Sequence, residues 1–156
     1  MKKVIAAFYF IFLCCLSSAQ ESNRLNELIN ECLLSYLDWQ TDLINKTVES
    51  KVYICLDNLP NGFAFSEGVL EKDVKFMSLH NLSGQRELKK NKKYRFVFVG
   101  IVLIKNHIYI TVSGKNVSVP IRNHVHIEAV DCGVFTYDYS CDNQEWVLVE
   151  TKFGGT

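Results

Sequence analysis

Residues 94–113 read YRFVFVGIVLI-KN-HIYITVS. From Tyr94 to Ile104 the run is apolar at odd and even positions alike, apart from Arg95, and it is rich in strand formers. That pattern predicts a central strand covered on both faces. Lys105-Asn106 interrupts the run, and His107 to Ser113 follows as its partner in a hairpin with a two-residue turn. The run is also too short to cross a membrane as a helix, which takes about 20 apolar residues.

Working outward toward the C-terminus, Val117 to Ile121 and His124 to Val130 predict a second hairpin around Arg122-Asn123. Pro120 has no amide hydrogen to donate, so its strand should lie at an edge or carry a bulge. Gly133 to Ser140 and Glu145 to Phe153 predict the last pair, turning at Asp142-Asn143-Gln144. Toward the N-terminus, Val74 to Asn81 reads as a strand, with Gly84 in the loop beyond it. Phe63 to Phe65 reads as a short strand, and Asn58-Leu59-Pro60-Asn61-Gly62 as a turn cluster. Lys51 to Leu56 alternates, with Val52, Ile54 and Leu56 on one side.

Before residue 50 the period changes. Leu25, Leu28, Ile29, Cys32, Leu33, Tyr36 and Leu37 recur at spacings of three and four, so Asn23 to Lys46 predicts one amphipathic helix. Ser22 or Asn23 would cap its start. The expected architecture is a single α+β domain over residues 20–156, with one long N-terminal amphipathic helix packed on an antiparallel β-meander sheet. In shape this is similar to the cystatin-like and NTF2-like folds, in which a curved sheet wraps a helix. Shape alone carries no function. Tyr53-Ile54-Cys55-Leu56-Asp57, Tyr137-Asp138-Tyr139-Ser140-Cys141, Trp146-Val147-Leu148 and the ending Phe153-Gly154-Gly155-Thr156 together resemble small exported bacterial proteins whose activity is not established. The resemblance implies no residue roles.

Residues 1–19 read as a secretory signal peptide. Met1-Lys2-Lys3 is a positive start, Val4 to Leu16 is an uncharged apolar run, and Ser17-Ser18-Ala19 is a small-residue exit. Cleavage is expected between Ala19 and Gln20, giving a periplasmic or secreted protein with no stable membrane span. The full chain carries 17 basic and 17 acidic residues. Cleavage removes Lys2 and Lys3 and no acid, which leaves a slightly acidic chain. That balance argues against a nucleic-acid binder, which carries a basic excess.

Of the six cysteines, Cys14 and Cys15 leave with the signal. Cys32, Cys55, Cys132 and Cys141 remain, and an even number in an exported chain makes them disulfide candidates with three connectivities. If Cys132 and Cys141 share one extended strand they lie roughly 30 Å apart. A disulfide needs Cα atoms within about 7 Å, so each would then have to find Cys32 or Cys55; if Gly133 instead breaks the strand into a curl, the local pair becomes possible. A reduced cysteine would also pack well on the helix stripe at Cys32.

Three other constellations stand out. His124, His126 and Glu128 alternate onto one strand face, and with His107 or His80 as a third imidazole they are candidate zinc ligands. The plainer reading is a solvated polar face opposite buried Val125, Ile127 and Ala129. Lys89-Lys90-Asn91-Lys92-Lys93, flanked by Arg86 and Arg95, would grip an anion or simply guard the apolar strand that follows. Phe135, Tyr137 and Tyr139 share a face near Trp146, so they form either a binding face for a sugar or protein partner, or core. No HExxH, GxGxxG or calcium-loop pattern occurs. Asn45-Lys46-Thr47, Asn81-Leu82-Ser83 and Asn116-Val117-Ser118 match the N-glycosylation pattern, which matters only in a eukaryotic host.

The function expected is a non-catalytic exported binding or inhibitor module without a cofactor, directed at another exported or envelope protein or at a glycan. The alternative is an NTF2-like small-molecule pocket protein or enzyme.

Overall fold

The computed structural model describes residues 23–41, 52–84, 93–121 and 124–155. The segment expected to be a signal peptide, the basic residues Arg86, Lys89, Lys90 and Lys92, and the turn expected at Arg122-Asn123 lie outside them. The described chain is a mixed α+β unit built on one six-stranded sheet. Residues 23–41 form helix α1, and the rest of the helix expected up to Lys46 lies outside the described residues. The strands are β1 (Val52–Cys55), β2 (Val74–Met77), β3 (Lys93–Ile104), β4 (His107–Ile121), β5 (His124–Ser140) and β6 (Glu145–Gly155). A short helix α2 (Glu67–Leu70) and a 3-10 turn (Leu79–Gly84) connect the early strands.

The sheet order is β2-β1-β3-β4-β5-β6. From β3 onward every pairing is antiparallel, as expected. The first three strands correct the meander: β1 runs parallel to β2 on one side and to β3 on the other. Parallel neighbours need connections of about a dozen residues or more, and 18 residues of sequence separate β1 from β2 and 15 separate β2 from β3. The strand expected at Phe63 to Phe65 is loop, whose two rings meet edge-on at 4.9 Å, with Phe65 also 4.3 Å from the Phe76 ring. The strand expected from Val74 to Asn81 ends at Met77, and the 3-10 turn begins at Leu79.

The antiparallel half is simpler than expected in its elements and subtler in its register. His107 to Ser113 and Val117 to Ile121 are one continuous strand, β4, and His124 to Ser140 are one strand, β5. Two irregularities divide their pairing. The register steps past Val130 between Gly114 and Lys115, and it shifts again between Ser118 and Ile121, where Pro120 sits. The missing amide of Pro120 thus coincides with a break in the ladder, although β4 is an interior strand. Lys105 turns the β3–β4 hairpin with φ 55°, and Gln144 turns the β5–β6 hairpin with φ 54°.

Alternation gives the sheet two cores. On one face the α1 stripe (Leu28, Ile29, Cys32, Leu33 and Tyr36) packs on Ile54, Val97, Val99, Ile110, Val112, Phe135 and Tyr137. The opposite face buries Tyr53, Cys55, Met77, Phe96, Phe98 and Val117 under Leu82 of the 3-10 turn. Phe96 stacks on Tyr53 at 5.1 Å there. The first half of β3 is therefore covered on both faces, as its composition requires. Its second half is not: Val102, Leu103 and Ile104 are more than half exposed.

Candidate functional site

The far end of the sheet opens into a cleft of about 960 Å³ beneath the start of α1. Three elements build it. Asn23, Arg24 and Glu27 come from the first turns of the helix, Leu103 and Ile108 from the β3–β4 hairpin, and Tyr139, Gln144, Glu145 and Trp146 from the β5–β6 hairpin. The two hairpin ends are tied by Tyr139 N–H donating to the Asn106 carbonyl at 3.3 Å. Tyr139 and Trp146 face each other across the ladder, with ring centroids 5.3 Å apart and an interplanar angle of 65°. Arg24 donates to Glu27 at 2.8 Å on the opposite wall.

The four aromatics expected as one face are divided by α1. Phe135 and Tyr137 lie under the helix and are buried, whereas Tyr139 is 43% exposed and Trp146 is half-buried. Tyr137 is part of the core chemistry: its hydroxyl meets Cys32 Sγ at 3.3 Å. Burial pushes the Cys32 thiol up to about 12 and raises the Tyr137 hydroxyl as well, so both stay protonated.

The four described cysteines, Cys32, Cys55, Cys132 and Cys141, are free, which corrects the disulfide expectation. Sheet geometry gives the reason. Cys32 belongs to the helix-side core and Cys55 to the core on the opposite face. Cys132 shares the face of Cys55 but sits on β5, three strands from β1, or roughly 14 Å at the usual strand spacing. Cys141 lies in the turn at the far end of β5, and that extended strand holds it away from Cys132.

The register step at Val130 decides where the zinc candidates go. Without it, Glu128 and Asp131 would fall on opposite faces. With it, His126 and Glu128 share the face of Asp131, Gly133 and Phe135. The side chain of His124 lies outside the described set. Glu128 accepts from Lys93 at 2.8 Å, which holds its carboxyl below the usual range. His107 contacts Asp138 across the ladder, away from His126, and His80 lies in the 3-10 turn. Among the described residues no group of three or more His, Cys, Asp or Glu is placed to hold a metal ion. Val125 and Ile127, expected to be buried, are exposed.

One polar cluster was hidden in the sequence. Arg95, counted with the basic run, is only 8% exposed and points under α1. It donates to Asp131, as does the Tyr36 hydroxyl. With its carboxamide oxygen turned toward Arg95, Gln40 accepts from Nη2 at 2.7 Å and from Nε at 3.1 Å. A Cβ on Gly114 would collide with Arg95 and Tyr36, so the space for this network exists only because residue 114 has no side chain. The one signal in the sequence was Arg95 as the lone charge in an apolar strand. Its partners come from α1 and β5, which no spacing connects. The network is enclosed and fully paired, so it serves the fold.

Asp57 likewise serves the fold. Burial opposes its charge, but Ser78 Oγ and the Leu79 N–H, at 2.7 Å, donate to it and hold its carboxyl below the usual range. It thereby caps the 3-10 turn that covers the second core. No helix among the described residues is long and apolar enough to cross a membrane. No family model, curated protein or solved structure matches the chain.

Proposed function

We propose that the protein is an exported, non-catalytic binding module that takes a glycan in the cleft between the start of α1 and the two hairpin ends. The observation that supports this is the composition of the cleft. A half-exposed Tyr139–Trp146 pair stands among Asn23, Arg24, Glu27, Gln144 and Glu145. Sugars present apolar C–H faces that stack on rings and hydroxyls that bond to amides and carboxylates. The core of a protein interface would be poorer in charge. A volume of about 960 Å³ falls in the range of ligand sites. Export rests on the signature of residues 1–19. With this reading goes the finer architecture, one long helix from Asn23 to Lys46 lying on the sheet. A small-molecule pocket between helix and sheet has less support, because Leu28, Ile29, Leu33, Val97, Ile110 and Phe135 fill that interface.

The test uses tryptophan fluorescence. The chain has two tryptophans, and Trp39 stacks on Phe153 at 4.8 Å. In a Trp39→Phe variant Trp146 is the sole reporter. Oligosaccharides of glucose and of N-acetylglucosamine should produce a saturable change that Tyr139→Ala abolishes. A flat response to every sugar, with a stoichiometric exported protein recovered by pull-down, would replace the glycan with a protein partner.

A further inference from the structure

β6 closes the sheet at one end, and among the described residues no strand lies along its outer edge. It runs for 11 residues, and all are exposed except half-buried Trp146. Val147, Leu148, Val149 and Phe153 are among the exposed large apolar side chains. β2, the edge at the other end, is only four residues long. A long exposed edge is a template for another strand, and proteins that keep such an edge free usually blunt it. The only irregularity in the β5–β6 pairing is the step past Val149, and from Glu150 to Gly155 the register is regular.

The charges of β6 name the occupant. Reflection about Thr151 sets Glu150 opposite Lys152, Thr151 opposite itself and Val149 beside Phe153. Opposite charges and paired threonines across an antiparallel ladder are stabilising. Glu150 and Lys152 already pair within the chain at 2.7 Å, with side chains 50% and 69% exposed. In the reflected arrangement each carboxylate sits between two ammonium groups. We propose that β6 is a self-association edge, joining two copies of this chain in an antiparallel β6–β6 pair centred on Thr151.

Sedimentation equilibrium of the mature chain over a range of concentrations tests this. The wild type should form dimers. Glu150→Lys gathers four cations at the junction and Lys152→Glu gathers four carboxylates, and each should weaken self-association roughly tenfold or more. Mixing the two single variants should restore dimers, now between unlike copies. The swap E150K/K152E should restore them within one sequence, which a variant that merely misfolds could not do. A wild type that stays monomeric at every concentration overturns the proposal. So do single variants that dimerise as well as the wild type, or mixed and swapped variants that stay monomeric.

Discussion

The two ends of the sheet are built differently. At one end β1, β2 and the first half of β3 are short or covered, joined by long crossovers, with α1 over one face and the 3-10 turn over the other. At the other end long antiparallel strands, joined by tight turns, run out beyond their cover and leave Leu103, Tyr139, Leu148 and Val149 exposed. Burial is concentrated where α1 and the 3-10 turn cover the sheet, on the long strands as well as the short ones, while the cleft and the free edge lie where that cover ends. An element can present apolar side chains to a partner only where the chain's own core has not already claimed them.

The sharpest way to break this division is to remove a charge from beneath α1. Asp131→Ala leaves Arg95 buried without its partner and should cost about 3–5 kcal/mol in urea unfolding. Asp38→Ala, which breaks the exposed 2.5 Å pair with Lys72, should cost no more than about 1 kcal/mol. Phe135 and Tyr139 each lie two residues from Tyr137, on either side of it, on one face of β5. Phe135→Ala should lose about 3–5 kcal/mol, while Tyr139→Ala should stay within about 0.5 kcal/mol.

A smaller effect appears with pH. The folded pKa of Cys32 is raised above its unfolded value of 9.0 to about 12. Above pH 9 the unfolded chain ionises while the folded one does not, so the unfolded state binds fewer protons. Stability should therefore be retained below pH 9 and fall between about pH 9 and 12, by at most about 1.4 kcal/mol per pH unit for this group. Cys55, Tyr36 and Tyr137 shift in the same direction and add to the slope. Cys32→Ala should flatten it, as read by unfolding at pH 8 and pH 10. The mildest test is thiol labelling of the native protein: exposed Cys141 should react first, Cys132 more slowly, and buried Cys32 and Cys55 only on unfolding.

Much of the antiparallel half was legible. Lys105-Asn106 and Asp142-Asn143-Gln144 mark tight turns, and two-residue alternation places Phe135 and Tyr137 on one face. The parallel half was not, because β1 and β2 are four residues each and carry no mark of their neighbours' direction. The only hint was that segments 56–73 and 78–92 are far longer than a hairpin requires. The step at Val130 was equally silent, since a bulge depends on the partner strand. Of the candidate site, Tyr139 and Trp146 were visible as aromatics in register across a turn. Asn23, Arg24 and Glu27 were not, because α1 meets that hairpin only in the folded chain.

The sequence alone determined which residues are apolar, at what period, and hence that a helical stripe and several strands must share a core. It also carried the N-terminal pattern from which export is expected, and the near-neutral charge. Only the tertiary structure decided which face each side chain occupies, because one register step inverts the alternation of everything beyond it. By sheet face and strand order it decided that Cys32, Cys55, Cys132 and Cys141 stay apart. It also decided that Arg95 is an interior charge with Asp131, Tyr36 and Gln40 around it. Each of these outcomes depends on contacts between segments distant in the chain, and local preference does not encode them.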